Sequence, residues 1–164
     1  MKLLSPVVII AVVFLLSNCS KSDDGITHIN CDGIITDTLG TGDTARIYMP
    51  NAFTPNNDGL NDIIRPYTKS ISAIEFTIYD AANNVLFSTT QPGQGWPGVT
   101  TAPTGTLYYY KIQTTTAENH HLAKCGAFQN LSCKPVQTVP LFFEDQLTAD
   151  GFTGPTLDTL YICP

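Results

Sequence analysis

The run Asn56-Asn57-Asp58-Gly59-Leu60-Asn61-Asp62 sets a dense group of side-chain oxygens around one glycine. Ca²⁺ takes six to eight oxygen ligands, so this loop is a candidate calcium site using Asp58, Asp62 and Asn56. It is not an EF-hand: with Gly59 at the glycine position, Thr54 falls where the first acidic ligand belongs, and no Glu closes the loop. The competing reading, which we prefer, is Asx-turn chemistry, in which Asn and Asp side chains bond their own backbone. Trp96, the only tryptophan, sits in Gly95-Trp96-Pro97-Gly98. It could offer a flat aromatic face to a sugar, but the Gly/Pro flanks suit a tight turn that tucks the ring inward. Tyr108, Tyr109 and Tyr110 could form a binding stripe, yet alternation along a strand would bury much of it.

Catalysis has little to stand on. There is no G-x-S-x-G, no H-E-x-x-H and no glycine-rich phosphate loop. Glu144 and Asp145 are adjacent, so on a strand they would point to opposite faces. His120 and His121 are expected in a hairpin loop. We expect no enzyme. Cysteines are better explained by cross-linking. Cys31, Cys125, Cys133 and Cys163 are an even set, which in an exported chain implies two disulfides. Three pairings are open. The short Cys125-to-Cys133 spacing leans towards one small loop, leaving Cys31 to meet Cys163. Zinc-type spacing is absent.

The N-terminus reads as an address. Residues 3–16 are apolar except for Ser5 and Pro6. As a helix they would span about 21 Å, short of the roughly 30 Å hydrocarbon core, which fits a cleaved signal peptide. Leu16-Ser17-Asn18-Cys19 resembles a bacterial lipobox, making Cys19 the expected lipidation site after removal of residues 1–18. Ser20-Lys21-Ser22-Asp23-Asp24 resembles the export signal of surface lipoproteins of the Bacteroidota. The expected location is therefore the outer membrane, lipid-anchored through acylated Cys19 and facing the exterior.

The 164-residue chain has room for one ordinary domain. Eight Lys and Arg against 14 Asp and Glu give a net charge of −6, so a general nucleic-acid role is excluded. Residues 19–45 read as lipidated Cys and flexible tether. Beyond them the pattern is of short strands: 46–49, then 72–80 with Ile74, Phe76 and Ile78 on one face, then 85–88, 107–114 and 121–131. Leu141-Phe142-Phe143 and 157–162 suggest two more. With Gly/Pro turns between them and no convincing helix, the fold class is an all-β, antiparallel β-sandwich.

Four blocks fall in a familiar order: residues 49–62 (MPNAFTPNNDGLND), 74–80 (IEFTIYD), 95–98 (GWPG) and 103–112 (PTGTLYYYKI). Together they resemble the gliding motility-associated C-terminal domain of the Bacteroidota, over residues 46–131. The resemblance implies an immunoglobulin-like β-sandwich and a sorting signal for the type IX secretion system. In that family the domain normally closes the chain after a large cargo. Here only a tether precedes it, and residues 132–164 follow as a Cys-containing extension packed on the sandwich. The leading expectation is thus a non-catalytic surface lipoprotein acting in binding or adhesion, with a secretion-machinery protein or a surface glycan as partner. The alternatives are a sorting or docking domain engaging the type IX system, and a structural accessory of an outer-membrane complex.

Overall fold

The computed structural model describes residue 31, residues 33–134 and residues 140–164. The signal peptide, Cys19 and the export motif lie outside the described residues.

The strands are β1 (Arg46–Tyr48), β2 (Ala52–Phe53), β3 (Tyr67–Lys69), β4 (Ile71–Tyr79), β5 (Val85–Thr89), β6 (Leu107–Thr116), β7 (His121–Asn130), β8 (Leu147–Thr148) and β9 (Gly151–Phe152). The main sheet has five strands in the order β2-β7-β6-β4-β5. Its contacts are antiparallel except β2 with β7, where Ala52 and Phe53 run parallel to Gln129 and Asn130. That parallel pair corrects the purely antiparallel expectation. β1 and β3 form a separate antiparallel pair, as do β8 and β9.

Period-two alternation builds the core. Ile74, Phe76 and Ile78 of β4 align with Thr114, Ile112 and Tyr110 of β6, and Tyr108 aligns with Phe128 of β7. These apolar side chains are buried in one cluster. Ile47, Met49, Ile64 and Trp96 close it from the second layer, so the domain is all-β and two-layered. Tyr109 points to the opposite face of the sheet and is buried there too. At Gly126 the Tyr110 ring lies where a side chain would be: a Cβ would sit 2.9 Å from the Tyr110 hydroxyl and 3.1 Å from Cζ. Burial pushes that phenol up to about 12.

Turns follow their residue chemistry. Asp80 Oδ1 accepts the amides of Ala82 and Asn84, and Asn83 takes φ 63° to reverse the chain into β5. Asn119 takes φ 66° between β6 and β7.

Two flanking stretches differ from expectation. The tether is not free over its whole length. The Asp37 amide bonds His121 O, Asp37 Oδ2 accepts the His121 amide, and Thr36 Oγ1 accepts the Ala123 amide. Residues 36–37 thereby cover the edge of β7 that β2 leaves open, and an exposed edge is a pairing hazard. Asp43 then turns the chain by accepting the Ala45 amide, and it meets His120 Nδ1 at 3.1 Å. The C-terminal stretch forms neither strand expected at 141–143 nor the one at 157–162. Instead a 3-10 turn (Glu144–Gln146) leads into the β8–β9 hairpin, and Ile162 makes only an isolated bridge to Lys134. Its polar groups bond the domain sideways rather than pairing in a ladder.

Candidate functional site

The oxygen-rich loop is a self-bonded turn. Asp62 Oδ1 accepts the Asn57 amide at 2.5 Å and Oδ2 accepts the Gly59 amide at 2.8 Å. Asp58 Oδ1 accepts the Leu60 amide and Oδ2 the Asn56 side-chain amide, while Asn56 Oδ1 accepts the Asp58 amide. The Leu60 amide, and then Asn56, hold the Asp58 carboxyl below its ordinary range. Asn57 and Asn61 take φ 63° and 54°, and Gly59 takes φ 92°. Both carboxylate oxygens of Asp58 and of Asp62, and Asn56 Oδ1, each accept one N–H donor from within the loop, which fits the Asx-turn reading. Among the described residues, no group of three His, Cys, Asp or Glu converges on a metal position.

Trp96 is 7% exposed. Its ring lies edge-on to Tyr108 at 4.9 Å, with Phe53 at 5.9 Å and Phe128 at 6.2 Å. Its backbone bridges Ile64 in both directions. The sugar-platform reading therefore gives way to the core reading: packing against three rings leaves no broad face for a ligand. Gly98 permits this packing, since a Cβ there would stand 2.4 Å from Phe53 Cε2.

The loop's base is where the structure brings distant residues together. A strap formed by residues 140–163 crosses it. Asn51 Nδ2 donates to Pro140 O, and Asn51 Oδ1 accepts the Phe142 amide. The Asn51 and Ala52 amides both reach Phe142 O. Buried Thr54 donates its hydroxyl to Asp158 Oδ2 at 2.7 Å, and Asn61 Nδ2 donates to the same oxygen at 3.2 Å. Asn61 Oδ1 accepts the Asp145 amide. Asp145 Oδ2 folds the strap on itself by accepting Thr156 Oγ1 and the Leu157 amide. Arg65 pairs with Glu144 at 2.6 Å, Tyr67 donates to the same carboxylate, and Lys69 pairs with Asp150. A cavity of about 350 Å³ remains between loop and strap, walled by Leu60, Asn61, Tyr67, Glu144 and Asp145.

Two disulfides hold the flanks. Cys31 is bonded to Cys125 and Cys133 to Cys163. The set of four cysteines is fully used, but the pairing differs from the Cys125–Cys133 lean. Cys125 lies inside β7, and the loop closed by Cys133 is the one that contains the strap. The strap's carboxylates and their partners carried no sequence signal beyond Cys163 itself. Thr54 and Asn61 look like ordinary loop residues until the fold sets them beside Asp158.

The described residues thus form a small two-layer all-β domain with a laced loop and an aromatic core. The model of the CHU_C type IX secretion signal domain matches residues 47–128, half of the chain, and the chain belongs to that family. It is a secretion signal family, not a catalytic one, and it points to a cell-envelope or secreted protein. No curated protein and no solved structure matches the chain.

Proposed function

We propose that the domain acts as a sorting or docking module that engages the type IX secretion machinery. The observation that carries this reading is the family match over residues 47–128. The test is to fuse residues 31–164 behind a periplasm-directed fluorescent reporter, in cells with and without a working type IX system. Secretion that depends on the system is expected. A reporter retained in the periplasm of both strains would refute the reading.

Lipid anchoring belongs to the same proposal. Cys19 follows a lipobox-like run and precedes Lys21, Asp23 and Asp24, which supports a lipoprotein of the outer membrane displayed to the exterior. Mass analysis of the mature N-terminus tests it: a chain starting at acylated Cys19 is expected, and an unmodified Cys19 overturns it.

A second reading, surface binding or adhesion, is favoured by one feature. Leu157, Tyr161 and Ile162 on the strap are 73%, 66% and 68% exposed. Large apolar side chains this exposed, close together in sequence, suit contact with another macromolecule. The same strap could serve a structural accessory of an outer-membrane complex. Co-purification of the intact chain with and without these side chains separates both from a pure sorting role.

A further inference from the structure

We propose that the outer edge of β2 and the base of its loop form a docking face for an extended acidic segment, occupied in cis by residues 140–163 and latched shut by Cys133–Cys163. The face has three kinds of recognition element. Backbone amides at Asn51 and Ala52 take a carbonyl, as an added strand would supply. Thr54 and Asn61 donate to one carboxylate, that of Asp158. Arg65 and Lys69 meet two more, Glu144 and Asp150. Every carboxylate named is on the strap and every one of these donors is on the domain. In a chain of net charge −6, two of the eight Lys and Arg, Arg65 and Lys69, meet this one acidic segment.

The disulfide supplies the latch. The strap contains only two-residue strands, so its own ladder is too short to hold it. Cys133–Cys163 instead fixes its far end beside the end of β7 and keeps its local concentration high. Forming the bond oxidises two thiols by exchange with an envelope disulfide oxidant. That oxidant accepts the two electrons, takes up the two protons and leaves as a dithiol. While the thiols are reduced, the strap can lift and the face can receive another acidic extended segment. With the bond formed, the face is closed.

This deepens the sorting reading, and its consequence for secretion rests on that reading, but the latch is measured without any secretion. The experiment is amide hydrogen exchange on the full chain in detergent, comparing wild type, Cys133→Ser/Cys163→Ser and Asp158→Asn. Asn51 and Ala52 report on the strap, and the amides of β6 report on the core. In the double-serine chain, exchange at Asn51 and Ala52 should rise by about tenfold or more, with β6 unchanged. Asp158→Asn keeps the bond and should raise it by less than about threefold. Unchanged exchange at Asn51 and Ala52 in the double-serine chain would overturn the latch. A parallel rise in β6 would overturn it too, by showing that the bond holds the whole fold. An Asp158→Asn effect as large as that of the double-serine chain would place the hold in the carboxylate and not in the disulfide.

Discussion

Replacing Trp96 with alanine separates a core tryptophan from a ligand platform. Burying a tryptophan removes roughly 150–250 Å² from water, worth about 4–6 kcal/mol at ~25 cal/mol per Å² as an upper bound. Alanine keeps the Cβ, and the backbone bridge between Trp96 and Ile64 survives because it uses no side-chain atom. The loss also removes ring contacts to Phe53, Tyr108 and Phe128 and leaves a void that these rings cannot readily fill. The expected cost is about 3–5 kcal/mol, the usual range for aromatic-to-alanine changes in a core. In a domain of this size that lowers the melting temperature by roughly 10–20 °C. Urea unfolding followed by far-ultraviolet circular dichroism is the assay, with Trp96→Phe expected to lose less than half as much. A loss below about 1 kcal/mol for Trp96→Ala would refute the packing argument and return the ring to the list of ligand platforms.

Two glycines with similar backbones should respond differently. Gly98 at φ 75° and Gly105 at φ 81° both carry the left-handed cost of about 1 kcal/mol on changing to alanine. Only at Gly98 does the new Cβ overlap Phe53, so Gly98→Ala should lose about 1–3 kcal/mol more than Gly105→Ala in the same urea assay; equal losses would remove the overlap from the account. Asp43 is held below the ordinary carboxylate range by the Ala45 amide and then by His120. A carboxyl depressed on folding adds stability that is fully present above its unfolded value near 3.8 and is lost as pH falls through the folded one. Asp43→Asn should therefore flatten the acid limb of the stability–pH curve below about pH 4. An acid limb of unchanged slope would count against it.

How far the sequence could be read depends on whether a signal was local. β4 and β6 were legible because alternation at Ile74, Phe76 and Ile78 and at Tyr108, Tyr110 and Ile112 marks one buried face, and the structure buries those residues. The Asx turns were legible because Asp58, Asp80 and Asn56 bond amides within a few residues. β3 was missed: its three residues Tyr67, Thr68 and Lys69 are too few to show a period, and their partner β1 lies 19 or more residues away in sequence. Leu141-Phe142-Phe143 misled because an apolar run suits a strand, whereas Phe142 serves through its carbonyl at the edge of β2. Disulfide pairing depends on which strand edges meet, and nothing local records that.

The Cys31–Cys125 bond changes what the N-terminal stretch can be. A free spacer over residues 19–45 would let the domain wander up to about 90 Å from an anchor at Cys19, at roughly 3.3–3.6 Å per residue. The disulfide and the Asp37 and Thr36 bonds fasten the chain to β7 from residue 31 onward. Only the stretch from Cys19 to Cys31 is then left to span, at most about 40 Å. If Cys19 is acylated as proposed, the β7 edge near Cys125 is the part of the domain held to the membrane. The latched face is anchored elsewhere, through Cys133 beyond the far end of β7. β7 places Cys125 and its terminal residue Asn130 five residues apart along one strand, about 17 Å at ~3.3 Å per residue. One strand thus carries both restraints, the tether at its middle and the strap just past its end. A chain in which the first bond is formed and the second is not would hold the domain at its anchor with the docking face free.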